Sequence, residues 1–178
     1  MNICFIDFET TGIDVFLDEP IQIGAVLVNQ KLEILKEFNS LIQINNEINI
    51  TENAFVIHGL DKNLLAQAPS KHAVLKSFFK EIGTDFHFAG WNISFDIPFM
   101  RKICHIEGYM DQYNKIDYRH IDLQSIIYFL RMMHKIPENI ISLSDTLNHF
   151  GIQRSFKHNA LEDAKLTIAI YKEIMTKF

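Results

Sequence analysis

Asp7 and Glu9 close an almost wholly apolar run, Ile3-Cys4-Phe5-Ile6-Asp7-Phe8-Glu9, and lie two residues apart. Side chains alternate along a strand, so both would project from one face. Adjacent carboxylates repel, and one must take up a proton unless a cation intervenes. The spacing alone is weak, because composition predicts about 0.7 Asp-x-Glu pairs in such a chain. A solvated strand end is the plain alternative. Position sharpens the reading: the pair ends a strand whose two faces both want burial, and then meets Thr10-Thr11-Gly12. In open α/β sheets ligands gather at strand ends of this kind.

Asp96 sits in Trp91-Asn92-Ile93-Ser94-Phe95-Asp96-Ile97-Pro98-Phe99-Met100. Proline fits the first turn of a helix, so Pro98 predicts a helix start between Ser94 and Asp96. Asp96 then shares a face with Phe99, Met100 and Ile103. A carboxylate on an apolar stripe is costly without a partner; an N-cap aspartate is the bland alternative. Asp163 repeats the pattern. Asn159 with Glu162 three residues on resembles a capping box and sets a helix start at Asn159. Asp163 aligns with Thr167, Ile170 and Ile174 and leans toward the core, although the helix dipole also favours an anion there. His158 precedes the cap, and its offset from Asp163 is about 140° on an ideal helix. It therefore hangs from the preceding loop. A loop histidine is ordinarily just solvated, but composition predicts only about 0.03 occurrences of His-x-Ala-x-x-Asp.

Asp7, Glu9, Asp96, Asp163 and His158 form a hard-ligand set. Carboxylates without a cysteine or multi-histidine cluster suit Mg²⁺ or Mn²⁺ rather than structural zinc. Paired hard cations beside a histidine base are apparatus for phosphodiester hydrolysis. His120 and Asp122 alternate on a later strand. They read as structural, because the five-group set is complete without them.

These groups need a scaffold. Residues 2–8 place Ile3 and Phe5 on one side and Cys4, Ile6 and Phe8 on the other, as in a central strand. Residues 21–28 and 32–44 extend it into an antiparallel meander. Ser70 opens a helix with Val74, Leu75, Phe78, Phe79 and Ile82 on one face. A strand at 86–89, a helix from about 95 to 107 and a strand near 116–121 follow. Helices over 123–134, 143–150 and 160–176 complete the chain, the last with Leu161, Ala164, Ile168, Tyr171 and Met175 on its stripe. This order predicts an α/β fold, a mixed sheet flanked by helices.

The 178 residues suit one domain, 1–178, with no repeat or low-complexity linker. A composition of 48% hydrophobic and 22% charged residues excludes disorder. Cys4 and Cys104 are too few for a disulfide framework and fit a reduced compartment. No apolar run is long enough to cross a membrane, and no basic leader opens the chain. A cytoplasmic protein without membrane attachment is expected. The formal charge of −5 argues against gripping nucleic acid by a broad basic surface. It does not argue against meeting a phosphate backbone through bound cations.

The chain closely resembles the DEDDh 3′–5′ exonucleases of the ribonuclease H-like superfamily, which include the proofreading (epsilon) subunits of bacterial DNA polymerase III. Phe5-Ile6-Asp7-Phe8-Glu9-Thr10-Thr11-Gly12 resembles the family's first motif and Trp91-Asn92-Ile93-Ser94-Phe95-Asp96 its second. His158-Asn159-Ala160-Leu161-Glu162-Asp163-Ala164 resembles the third. Residues 21–26 resemble its second strand, and Phe55-Val56-Ile57-His58-Gly59-Leu60 a segment flanking the substrate.

The resemblance implies a ribonuclease H-like mixed sheet, three antiparallel strands plus parallel ones. It implies a two-metal enzyme, using Mg²⁺ or Mn²⁺, that releases nucleoside 5′-monophosphates from DNA 3′ ends. Asp7, Glu9 and Asp163 would hold the cation that carries the attacking water. Asp7 would bridge to a second cation near the leaving 3′ oxygen, with Asp96 reaching the pair directly or through water. His158 would be the general base, its ordinary pKa of about 6.5 suiting neutral pH. Backbone N–H groups near Thr10 and Thr11 would hold the terminal 3′-OH. Phe55, Ile57 and His58 would line the terminal base, with a structural turn histidine before Gly59 an equal reading of His58. The implied partners are single-stranded DNA ends, with RNA the other polymer, and a polymerase or repair protein.

Trp91 stands where many relatives have His, and Gln22 where they have Glu; neither is one of the five groups. Trp91 reads as a core residue first and a base-stacking one second. The chain ends with its last helix, without the tail that binds polymerase in the epsilon subunit, so a free-standing nuclease is expected. Rival readings are an exoribonuclease, a nuclease-like binding module without turnover, and a metal-dependent hydrolase of free nucleotides.

Overall fold

The computed structural model describes residues 2–45, 50–154 and 159–177, the side chain of Ile57 excepted. Apolar side chains on both faces of β1 (Ile3–Thr10) put that strand in the middle of the sheet. β2 (Pro20–Val28) and β3 (Ile34–Leu41) continue from it antiparallel, while β4 (His87–Gly90) and β5 (Asp117–Asp122) add on its other side in parallel. The order across the sheet is β3-β2-β1-β4-β5. This is the mixed sheet that the patterning predicts.

Cys4, Ile6 and Phe8 pack under α3 (Lys71–Glu81) and α4 (Ile93–Ile106). On the opposite face Ile3 and Phe5 pack under α6 (Leu123–Met132), α7 (Leu143–Phe150) and α8 (Ala160–Lys177). Three short helices, α1 (Glu52–His58), α2 (Lys62–Ala66) and α5 (Met110–Tyr113), fill connections. They are too short for a periodic signal, so the hydrophobic pattern does not reveal them. Caps start two of them: Thr51 accepts the Ala54 N–H, and Asp61 the Leu64 N–H. Cys4 and Cys104 are free and buried. Among the described residues no helix is long and apolar enough to cross a membrane.

Two boundaries next to the carboxylates depart from the sequence reading, and β3 is shorter than the expected 32–44. β1 runs on to Thr10, which brings Glu9 into the ladder opposite Gln22. α4 starts at Ile93, so Pro98 lies in its second turn rather than its first. The start is set by Asn92, which holds the left-handed conformation (φ 56°) at the N-cap, a region asparagine tolerates. The Asn92 N–H is fixed by Asp122 Oδ1 at 3.1 Å. Along α8 the expected stripe holds at Ala164 and Ile168, which are buried, and at Leu161 and Tyr171, which pack on the core, but ends before Met175, which is 63% exposed; Asp163, Thr167, Ile170 and Ile174 are buried, as their alignment predicts.

Candidate active site

Asp7 and Glu9 end β1 on the same face as Ile3 and Phe5. Their partners across the ladder are Gly24 and Gln22. A Cβ at Gly24 would run into the backbone of Ala160 and Leu161. Glycine there lets the first turn of α8 descend onto the sheet beside Asp7. Gln22 then serves the helix: its Oε1 accepts the Ala160 N–H at 3.4 Å, while its Nε2 donates to Asn39 Oδ1 at 3.0 Å. The Asn159 side chain accepts from the Leu161 and Glu162 N–H groups, at 3.2 and 3.4 Å. With its start so held, α8 turns Asp163 inward. Carboxylate oxygens of Asp7, Glu9 and Asp163 all lie within 4.8 Å of one another.

Asp96 comes from the other layer. It is 2% exposed, and its Oδ1 accepts the Phe8 N–H at 2.9 Å. Because Asn92 is the N-cap of α4, the capping alternative for Asp96 does not hold. Asp96 instead bridges that helix to β1.

Burial and the adjacent Asp163 push the Glu9 carboxyl up to about 7, against the pull of Arg154. Asp7 is raised well above the carboxylate range, by burial first and then by Asp96, Glu9 and Asp163. Burial likewise raises Asp96, opposed by its backbone hydrogen bonds. The Arg154 guanidinium bonds both oxygens of Asp163. Glu9 Oε1 is buried with no hydrogen-bond partner among the described residues. An all-oxygen donor set with too many negative charges and an orphaned carboxylate oxygen fits a hard divalent cation.

Two hollows meet over this cluster. One, of about 380 Å³, is walled by Glu9, Thr10, Ile13, His58 and Phe95. The other, of about 260 Å³, is walled by Asp7, Glu9, Trp91, Phe95, Asp96 and Asp163. Phe8, Glu9 and Phe95 border both, so they form one cleft across the end of β1.

Thr10 lines the cleft. Thr11 is buried: its N–H donates to the Glu19 carbonyl at 2.9 Å and its hydroxyl to Asp18 at 3.0 Å, which ties down the following loop. His58 combines two roles. It borders the first hollow, and its Nδ1 accepts the Leu60 N–H at 2.9 Å in the turn at Gly59. Phe55 is 47% exposed and stands outside that lining. His158 and the Ile57 side chain lie outside the described residues. Trp91 is half-buried at the cleft wall rather than wholly in the core. Asp122 caps α6 through the Gln124 N–H and the Ser125 hydroxyl.

The sequence reading did not find Arg154, Gly24 or the capping role of Gln22. Gly24 does carry a signal: it is the one residue without a side chain in a strand otherwise rich in Ile and Val. Arg154 has none, because nothing in the spacing ties it to Asp163.

Several known proteins are similar to this chain. Over 176 residues the chain is 27% identical to the 3′-5′ exonuclease DinG of Staphylococcus saprophyticus, covering 97% of this chain and 18% of that protein. It is 28% identical over 172 residues to the PolC-type DNA polymerase III of Caldanaerobacter subterraneus, covering 96% and 11%. The chain thus spans less than a fifth of these relatives. Among solved structures, E. coli exonuclease I in complex with a dT13 oligonucleotide matches with a TM-score of 0.87 at 21% identity, over 99% of this chain and 41% of that one. That likeness shows the fold, the ribonuclease H-like one. A family described as exonuclease, of the RNase T type, matches residues 4–171, a span that takes in all four carboxylates, and the chain belongs to that family.

Proposed function

We propose that this chain is a divalent-cation-dependent 3′–5′ exonuclease that removes nucleoside 5′-monophosphates from single-stranded DNA ends. The observation that carries the proposal is the carboxylate cluster at the end of β1, with its orphaned Glu9 oxygen. Asp7, Glu9 and Asp163 would hold one cation, and Asp7 with Asp96 a second. Bound Mg²⁺ or Mn²⁺ supplies Lewis acidity at the phosphodiester and makes a coordinated water more acidic. His158, just ahead of the Asn159 cap, would take the proton from the attacking water, with the 3′ oxygen of the preceding nucleotide leaving. The hollow between Glu9 and His58 is of a size for one nucleoside. A pocket for a single terminal unit beside the cluster favours exonuclease over endonuclease action. DNA is favoured over RNA because the solved exonuclease I carries a DNA oligonucleotide and one relative is a DNA polymerase. The latter also favours a polymerase as partner.

The test is a 5′-labelled single strand of DNA, and RNA of the same sequence, incubated with Mg²⁺, Mn²⁺ or EDTA. A cation-dependent ladder shortening from the 3′ end is expected, faster on DNA. In Asp7→Asn the rate should fall by about two orders of magnitude or more, with the folded circular dichroism spectrum kept. No ladder from folded wild-type protein would overturn the proposal in favour of a monomer hydrolase or a binding module.

A further inference from the structure

We propose that the groove along α6 is a second nucleic-acid subsite, which holds the strand on the 5′ side of the scissile linkage. This rests on the exonuclease reading above. A hollow of about 240 Å³ runs beside α6, walled by Trp91, Gln124, Ser125, Tyr128, Arg131 and Ile141. Trp91 and Gln124 also wall the carboxylate hollow, so the path is continuous. A strand whose last nucleoside fills the pocket at His58 must leave past the carboxylates on the opposite side. Trp91 and Gln124 stand there.

The chemistry of the wall suits a single strand. Trp91 is half-buried and Tyr128 is 58% exposed, and such rings take stacked bases without regard to sequence. The Arg131 guanidinium lies over the Tyr128 ring, 5.8 Å from its centroid. Its Nε is buried and makes no hydrogen bond, and among the described residues no carboxylate pairs with it. A phosphate oxygen is the partner its planar fork matches. Arg131 would take the phosphate while Tyr128 and Trp91 stack on neighbouring bases.

The experiment compares wild type with Arg131→Gln and Tyr128→Ala on two substrates. One is a single DNA strand long enough to span both hollows. The other is the 4-nitrophenyl ester of thymidine 5′-monophosphate, which fills the terminal pocket alone. Each variant should raise KM on the strand about tenfold and hydrolyse the ester at the wild-type rate. For Arg131→Gln the slope of log(kcat/KM) against log salt should become shallower by about 0.7, one phosphate contact on a single strand. Tyr128→Ala should keep the wild-type slope. Wild-type kinetics on the strand in both variants would overturn the subsite while leaving the exonuclease reading standing. Equal losses on strand and ester would overturn it too, as the mark of general structural damage. If wild type cleaves neither substrate the exonuclease reading fails, and fluorescence anisotropy of the labelled strand then decides. Weaker binding by Arg131→Gln would still support the subsite, and unchanged binding would overturn it.

Discussion

Glu9 shows what the cluster does to the folded state. Its carboxyl sits near 7 when folded and about 4.3 in an unfolded chain. The folded protein therefore holds this proton more tightly. The associated stability is fully present below the unfolded value and is lost as pH rises through about 7. Asp7 and Asp96 are raised in the same direction and add to the loss. Without a cation, the melting temperature should fall between pH 5 and 8 by the equivalent of roughly 3 kcal/mol for Glu9 alone. Circular dichroism melts in EDTA at stepped pH would show it. Glu9→Gln should make the profile shallower, leaving the part due to Asp7 and Asp96, and Mg²⁺ should restore stability at the alkaline end; a flat wild-type profile would contradict the assignment. Arg154 now partly offsets the repulsion by bonding Asp163. It is also a competitor for any cation held there. Arg154→Ala should tighten Mn²⁺ binding roughly tenfold by titration calorimetry, and weaker binding would instead make Arg154 a support of the site.

At the scale of elements, the site depends on how closely α8 approaches the sheet. Gly24 sets that distance, since any side chain there meets the backbone of Ala160 and Leu161. Gly24→Ala should lower stability by about 1–3 kcal/mol, the range for overpacking. It should weaken cation binding further than Asn159→Ala, which removes a cap worth about 1 kcal/mol without forcing the helix outward. Thermal melts and Mn²⁺ titration of both variants separate the two effects, and equal affinities would show that the approach does not matter. The same contact explains what could be read in advance. Asp7, Glu9, Asp96 and Asp163 were legible because each is a charge on a face otherwise apolar, which is a local property of a strand or helix. The meander and the long helices were legible for the same reason. Gly24 and Arg154 act across the fold, on residues more than a hundred and nine positions away in sequence respectively, and no local period encodes such a pairing. The position of Pro98 misled, because the turn from β4 into α4 is set by Asn92 and by its tie to Asp122 on a neighbouring strand.

Across the whole molecule, the two layers of helices make different contributions to one site. α4 brings Asp96 from one face of the sheet and α8 brings Asp163 from the other, so β1 is where both cores and the cleft meet. The result is a negative focus in a chain of formal charge −5. A phosphate chain approaching it without cations meets repulsion on top of the net charge. Two divalent cations in the cluster add four positive charges and leave the molecule near neutrality, with a positive centre where the scissile linkage must lie. The salt dependence of strand binding should therefore change sign. In EDTA, added NaCl screens repulsion, and the affinity for a DNA strand should stay level or rise. With Mn²⁺ present, phosphates bind by displacing counterions, and added NaCl should weaken binding. A strand with a phosphorothioate 3′ linkage slows cleavage enough for anisotropy to read both conditions. Affinity that falls with NaCl equally in EDTA and in Mn²⁺ would mean that the strand is held by basic side chains alone, and that the cluster takes no part in gathering it.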